Sequence, residues 1–190
     1  MGAPVDKATM QPFYFIKDAA SLLESGATLP YPPGTCDLQH EMELVVAIGA
    51  AGFRVSEAEA EHLVWGYACG LDMTRRDLQQ TLRQKGHPWC ISKGFDASAP
   101  IAPIVPVAAA GNISQASISL QVNGQTRQSS HINCMIWNIA ATIAAASRGW
   151  ELQAGDLIFT GTPAGVDAVV QGDELVGSIS GLPEVRVRVV

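Results

Sequence analysis

The sequence predicts a β-rich α+β domain with few helices. Three observations carry this. Short apolar runs bounded by Gly, Pro, Asn and Asp outnumber stretches with helical spacing. Asn123-Gly124 sits between SISLQV and QTRQ and favours a two-residue type I′ hairpin turn. Strands and helices do not alternate regularly, as a doubly wound parallel sheet requires.

Taken in order, PFYFIK (12–17) predicts a strand and LPYPPG (29–34) a proline-set loop. QHEMELVVAIG (39–49) carries a buried strand, and SEAE (56–59) is a capping box that opens a short helix. HLVWGYACGLDMT predicts a second long strand that ends at Asp72. TRRDLQQTLRQKG (74–86) predicts a helix with Thr74 as N-cap and Gly86 as C-cap. INCMIWNIAATIAAAS places Met135, Ile139, Thr142, Ile143 and Ala146 near one face of a helix. DLIFTGTP, DELVGSI and the alternating EVRVRVV complete the strands.

The 190 residues are 47% hydrophobic and 16% charged, enough for one domain with a substantial core. A net charge of −6 argues against an electrostatic nucleic-acid partner. The longest apolar stretch, residues 134–147, is shorter than the roughly 20 residues of a membrane span and contains Asn138 and Thr142. Cys36, Cys69, Cys90 and Cys134 form no CxxC pair and read as reduced, often buried thiols. A cytoplasmic protein is the default expectation.

Glu41 and Glu43 stand two apart at the mouth of an apolar strand, so both point to one face. With Asp72 at the end of the next long strand they form a set of oxygen ligands suited to a hard divalent cation, Mg, Mn or Ca. The competing reading is a solvated face paired with Arg or Lys, with Asp72 as a turn residue. Arg76 and Gln79 share a helix face, where the guanidinium either holds a substrate carboxylate or forms a surface ion pair. Lys93 lies in a small-residue loop and either faces an anion or is solvated. Gly161, Thr162 and Gly165 in TGTPAG offer backbone N–H groups and a hydroxyl to an anion, or are merely a glycine turn. His40 abuts Glu41 but points to the opposite face, and His62, His87 and His131 sit in surface-like contexts.

In this order HEMELVVAIG, WGYACGLDMTRRDLQ, SKGFD…APIAPIV and LQAGDLIFTGTPAGV resemble the fumarylacetoacetate hydrolase family over essentially the whole chain. WGYACGLDMTRRDLQ and PFYFIK are most similar to its members that cleave fumarylpyruvate in the gentisate route of aromatic breakdown. The resemblance implies a β-roll fold and a homodimer. It implies that Glu41, Glu43 and Asp72 ligate Mg or Mn, that Lys93 is the active-site lysine, and that Arg76 and Gln79 bind substrate. Thr162, with Gly161 beside it, is implied to contact the substrate carboxylate. The implied activity is hydrolysis of a C–C bond in a 1,3-diketo acid, fumarylpyruvate giving fumarate and pyruvate. An oxaloacetate-type decarboxylase, or a metal- and ligand-binding protein without turnover, are the alternatives.

Family members carry an NYxxHxxE segment whose His and Glu activate water, and this sequence does not contain it. Residues 1–17 resemble the family stretch immediately downstream of that segment, so residues 1–190 are expected to be a single catalytic domain shortened at its N-terminus.

Overall fold

The computed structural model describes residues 11–190 as three sheets joined by short helices. A six-stranded sheet runs Leu22–Glu24, Ala99–Ile101, Val64–Leu71, Met42–Ile48 and Leu157–Phe159, with Val105–Pro106 pairing beside Val64–Leu71. A five-stranded sheet runs Gln125–His131, Ser117–Val122, Glu174–Ile179, Val185–Val189 and Thr28–Leu29. Asp167–Val169, Leu38–His40 and Thr74–Arg75 make a third, small sheet.

The core fills the space between the two large sheets. Met42, Leu44, Val46 and Ile48 share it with Leu120, Val122, Leu175 and Val187. Each such side chain contributes roughly 1.5–3 kcal/mol by leaving water. The opposite face of Met42–Ile48 carries Glu43, Val45 and Ala47, also buried. Gly70 stands opposite Glu43 in the ladder. A Cβ there would lie 2.5 Å from Val45 and 2.7 Å from the Phe159 ring, so a bare glycine lets that ring close over the strand.

Two antiparallel segments change sheets at one level. Leu38–His40 and Met42–Ile48 are a single extended run broken at Glu41, and Val64–Leu71 and Thr74–Arg75 are broken at Asp72 and Met73. The Asp72 N–H donates to Glu41 O at 2.8 Å and clasps the two breaks together. Glu41 and Asp72 therefore sit on a seam between sheets, where the ladder opens and side chains face a cleft.

Most of the predicted elements form. The capping box at Ser56 and Glu59 opens the Glu57–Ala60 helix. Asn123 and Gly124 both have positive φ, 52° and 75°, as a type I′ turn requires. Val185–Val189 alternates buried and exposed.

Four expectations change. PFYFIK is not a strand. Its side chains are held instead by ring contacts, Phe13 and Phe15 edge-on to Trp89 at 6.3 and 5.5 Å and Tyr14 edge-on to Trp150 at 5.4 Å. Thr74 is not an N-cap, because pairing with Gln39 takes Thr74 and Arg75 into the third sheet and the helix begins only at Arg76. At its other end Gly86, φ 67°, follows the Lys85 cap, with Gly86 N–H on Arg83 O and His87 N–H on Leu82 O in a Schellman closure. The apolar run from Ile132 is split: a 3-10 turn at Ile132–Cys134, then a helix at Ile139–Ala146 capped by the Asn138 side chain, with Met135 between them. All four cysteines are free, but only Cys69 is buried. Among the described residues no helix is long and apolar enough to cross a membrane.

Candidate metal centre and active site

The seam brings Glu41, Glu43 and Asp72 together. All three are buried, and one carboxylate oxygen from each lies within 4.8 Å of the others. Strand alternation aims Glu41 and Glu43 to one side, and the Glu41–Asp72 clasp brings the third carboxylate alongside. Three negative charges at this spacing repel strongly where water is excluded. Burial, then the neighbouring charges of Asp72 and Glu41, push the Glu43 carboxyl up to about 8. Asp72 is also raised, chiefly by burial, with the Lys17 and Lys93 ammonium groups opposing. Burial works the same way on Glu41, but Lys93 and Arg76 outweigh it and hold this carboxyl below its usual range.

Cations surround the triad. Lys93, only 3% exposed, donates to Glu41 Oε2 at 2.7 Å and to Asp72 Oδ2. It leaves the Cys90–Ser92 turn beside the Phe15 ring, 5.0 Å from the ring centre. Arg76 donates to Glu41 Oε1, to Gln79 Oε1 at 2.6 Å and to Gln39 Oε1 at 2.8 Å. The guanidinium thus orients Glu41 first, and the Gln79 amide keeps its NH₂ end for the cleft.

Gly161 and Thr162 line the same cleft. The Gly161 N–H donates to Glu43 Oε2 at 2.8 Å, and the Thr162 hydroxyl donates to Met42 O at 2.8 Å. Both donors serve the metal site's own framework in this arrangement.

Sequence reasoning missed Lys17. Its ammonium reaches Ser98 O at 3.0 Å, Ser98 Oγ at 2.8 Å, Met73 O at 3.3 Å and the Lys93 carbonyl. It also lies 2.9 Å from Asp72 Oδ1. A lysine ending an aromatic run carries no local signal of this, because its partners lie 55 to 81 positions away. His40 points away from the triad, as strand parity requires, and contacts Gln128 at 3.1 Å. His62 and His87 are exposed; His131 is exposed at the cleft wall.

The residues present fit a divalent cation. The donors are hard carboxylate oxygens, and Asp72 Oδ1 is buried with no hydrogen bond, only the ion pair with Lys17. Without a metal, three cationic side chains face Glu41, Asp72 and a protonated Glu43; with all three carboxylates ionised around a divalent ion the site is net positive, suited to an anionic ligand. Above the triad the cleft encloses about 690 Å³, walled by Phe13, Phe15, Trp89, Trp137 and Phe159. A small anion with an apolar extension matches it in size and character.

The profile described as fumarylacetoacetate (FAA) hydrolase C-terminal matches residues 1–190. The chain belongs to the fumarylacetoacetate hydrolase family. Fumarylpyruvate hydrolase from Ralstonia sp is 51% identical over 189 residues, covering 100% of this chain and 98% of that protein. The mitochondrial oxaloacetate tautomerase of Bos taurus is 37% identical over 182 residues, 96% of this chain and 82% of that one. The solved structure of fumarylpyruvate hydrolase from Pseudomonas aeruginosa, in complex with Mn²⁺ and pyruvate, superposes with a TM-score of 0.93. It is 48% identical, over 97% of this chain and 81% of that one. Within the family fold, the carboxylate seam and its ring of cations fit a metal-dependent hydrolase.

Proposed function

We propose that this chain hydrolyses the C–C bond of a 1,3-diketo acid, fumarylpyruvate giving fumarate and pyruvate. Mg or Mn is held by Glu41, Glu43 and Asp72. The observation that carries the reading is the buried triad with Lys93 inserted between Glu41 and Asp72, at the floor of an aromatic-walled cleft. The 51% identity to a fumarylpyruvate hydrolase supports the choice of acyl group.

When bound, the divalent ion supplies Lewis-acid polarisation of the chelated keto oxygens. Lys93, which donates to Glu41 and Asp72 here, would turn its ammonium to the substrate once those carboxylates served as metal ligands. Water adds to the acyl carbonyl, releasing one proton to bulk water, and the bond to the methylene carbon breaks to leave the acyl fragment as its carboxylic acid. The electron pair leaves with the pyruvate fragment as its enolate, which takes up one proton. Lys93 stands where that negative charge develops and is the proton donor within reach. Gln79 and Arg76 hold the carboxylate end, and the aromatic wall shields the fumaryl chain from water. The working form is a cytoplasmic homodimer, which light scattering reads as twice the chain mass.

One observation favours a second reading. Among the described residues no histidine is hydrogen-bonded to the triad to activate water, and His40 faces the other way. Decarboxylation of an oxaloacetate-type acid needs no attacking water. Incubation of the Mn²⁺-loaded chain with fumarylpyruvate and, separately, oxaloacetate decides between them. Metal-dependent loss of the diketo absorbance supports the hydrolase, CO₂ release from oxaloacetate alone supports the second reading, and neither signal with Mn²⁺ bound indicates a binding protein.

A further inference from the structure

Gln128 lies on Gln125–His131, whose other residues are exposed or half-buried, yet its own side chain is completely buried. Its hydrogen bonds fix the amide. The Met42 N–H is only a donor, so the atom it meets at 3.0 Å is Oε1. The same oxygen lies 3.1 Å from His40 Nδ1, so Nδ1 carries the ring proton. Gln128 Nε2 then donates to Thr162 Oγ1 and to Pro163 O, each at 2.8 Å. Because Thr162 Oγ1 accepts that bond, its own proton goes to Met42 O. The Thr162 hydroxyl proton is committed inside this network and is not offered to a ligand carboxylate.

The same loop is pressed onto the Gln128 strand further along. Gly165 has φ 101°, and a Cβ there would lie 2.2 Å from Arg127 O. At the loop's other end the Gly161 N–H grips Glu43. We infer that Gln128 is a positioning residue for the metal site: it fixes the Thr162–Pro163 turn so that the Gly161 N–H aims Glu43 into the triad. This rests on the reading that the triad holds a divalent cation. Partners that orient metal ligands are typically worth 10–100-fold in affinity.

The test is a Mn²⁺ titration of the full chain, followed by electron paramagnetic resonance, for wild type, Gln128→Leu and Gln128→Glu. Gln128→Glu keeps the acceptor for Met42 and His40 but loses both donations to the loop, so it separates strand support from loop positioning. Both variants, where thermal melts show them folded, are expected to bind Mn²⁺ at least tenfold more weakly than wild type. A loss smaller than tenfold in a folded variant overturns the inference. Wild type failing to bind Mn²⁺ overturns the metal reading itself, and the inference with it. If neither variant folds, the wild-type NMR spectrum decides. Mg²⁺ addition is expected to shift the Gly161 amide and the Gln128 side-chain NH₂ signals together, and a Gly161 shift with Gln128 unmoved refutes the connection.

Discussion

Glu43 shows how a single residue couples charge to function. Its carboxyl, raised to about 8 by burial and by its acidic neighbours, stays protonated in the metal-free chain at neutral pH. Its folded-state value lies above the unfolded one, so the stability it contributes is present below about pH 4.5 and lost as pH rises towards 8. Mn²⁺ must displace that proton to bind. The metal-free chain is therefore expected to melt lower at pH 8 than at pH 6 in this respect, while Mn²⁺ binds more tightly at pH 8. Glu43→Gln should flatten both trends, read by thermal melts and Mn²⁺ titration across that range. Lys93 is the second residue whose removal is informative. Lys93→Met leaves Glu41 and Asp72 without their shared counter-ion, a loss of about 3–5 kcal/mol in the metal-free chain. Saturating Mn²⁺ should restore most of the stability but not kcat, which should fall roughly 10²–10³-fold.

Strand parity and two apolar runs offered the carboxylate set beside a solvated-face reading, and family order favoured the set. Lys93 and Arg76 became legible only through family order, since a loop lysine and a helix arginine look solvent-exposed locally. Lys17 and Gln128 were not legible. Their partners come from distant segments, and Gln128 sits in a polar hairpin arm, RQSS, where nothing local marks one buried amide.

At the scale of elements, the seam explains both successes and failures. Met42–Ile48 and the second half of Val64–Leu71, from Ala68 on, were readable as continuous apolar runs because both of their faces are covered. Thr74 was misread because a tertiary pairing, Gln39 with Thr74, overrides the local capping signal. PFYFIK departs from the strand expectation because its aromatic alternation serves edge-on contacts with Trp89 and Trp150 rather than a ladder. Lys17 is the anchor of that segment. Lys17→Met leaves the carbonyls of Met73 and Ser98 and the Asp72 carboxylate without their cation, a cost on the order of 1–3 kcal/mol. Limited proteolysis should then cut within residues 11–18 faster than in wild type. Unchanged cutting would place the anchor in the aromatic contacts instead.

For the whole molecule, folding and catalysis share one cost. The fold buries three carboxyl groups at a sheet seam, surrounds them with three cations, and gains further stability when a metal binds. Free Mn²⁺ at a hundred times its Kd should stabilise the chain by about 2.7 kcal/mol. The most direct measurement runs the Mn²⁺-loaded chain on fumarylpyruvate in ¹⁸O-labelled water and follows the products by mass spectrometry. Equimolar fumarate and pyruvate are expected, with one ¹⁸O in the newly formed carboxylate of fumarate, and no turnover when EDTA removes the metal. Pyruvate without labelled fumarate, or intact substrate with Mn²⁺ bound, would contradict the proposed hydrolysis.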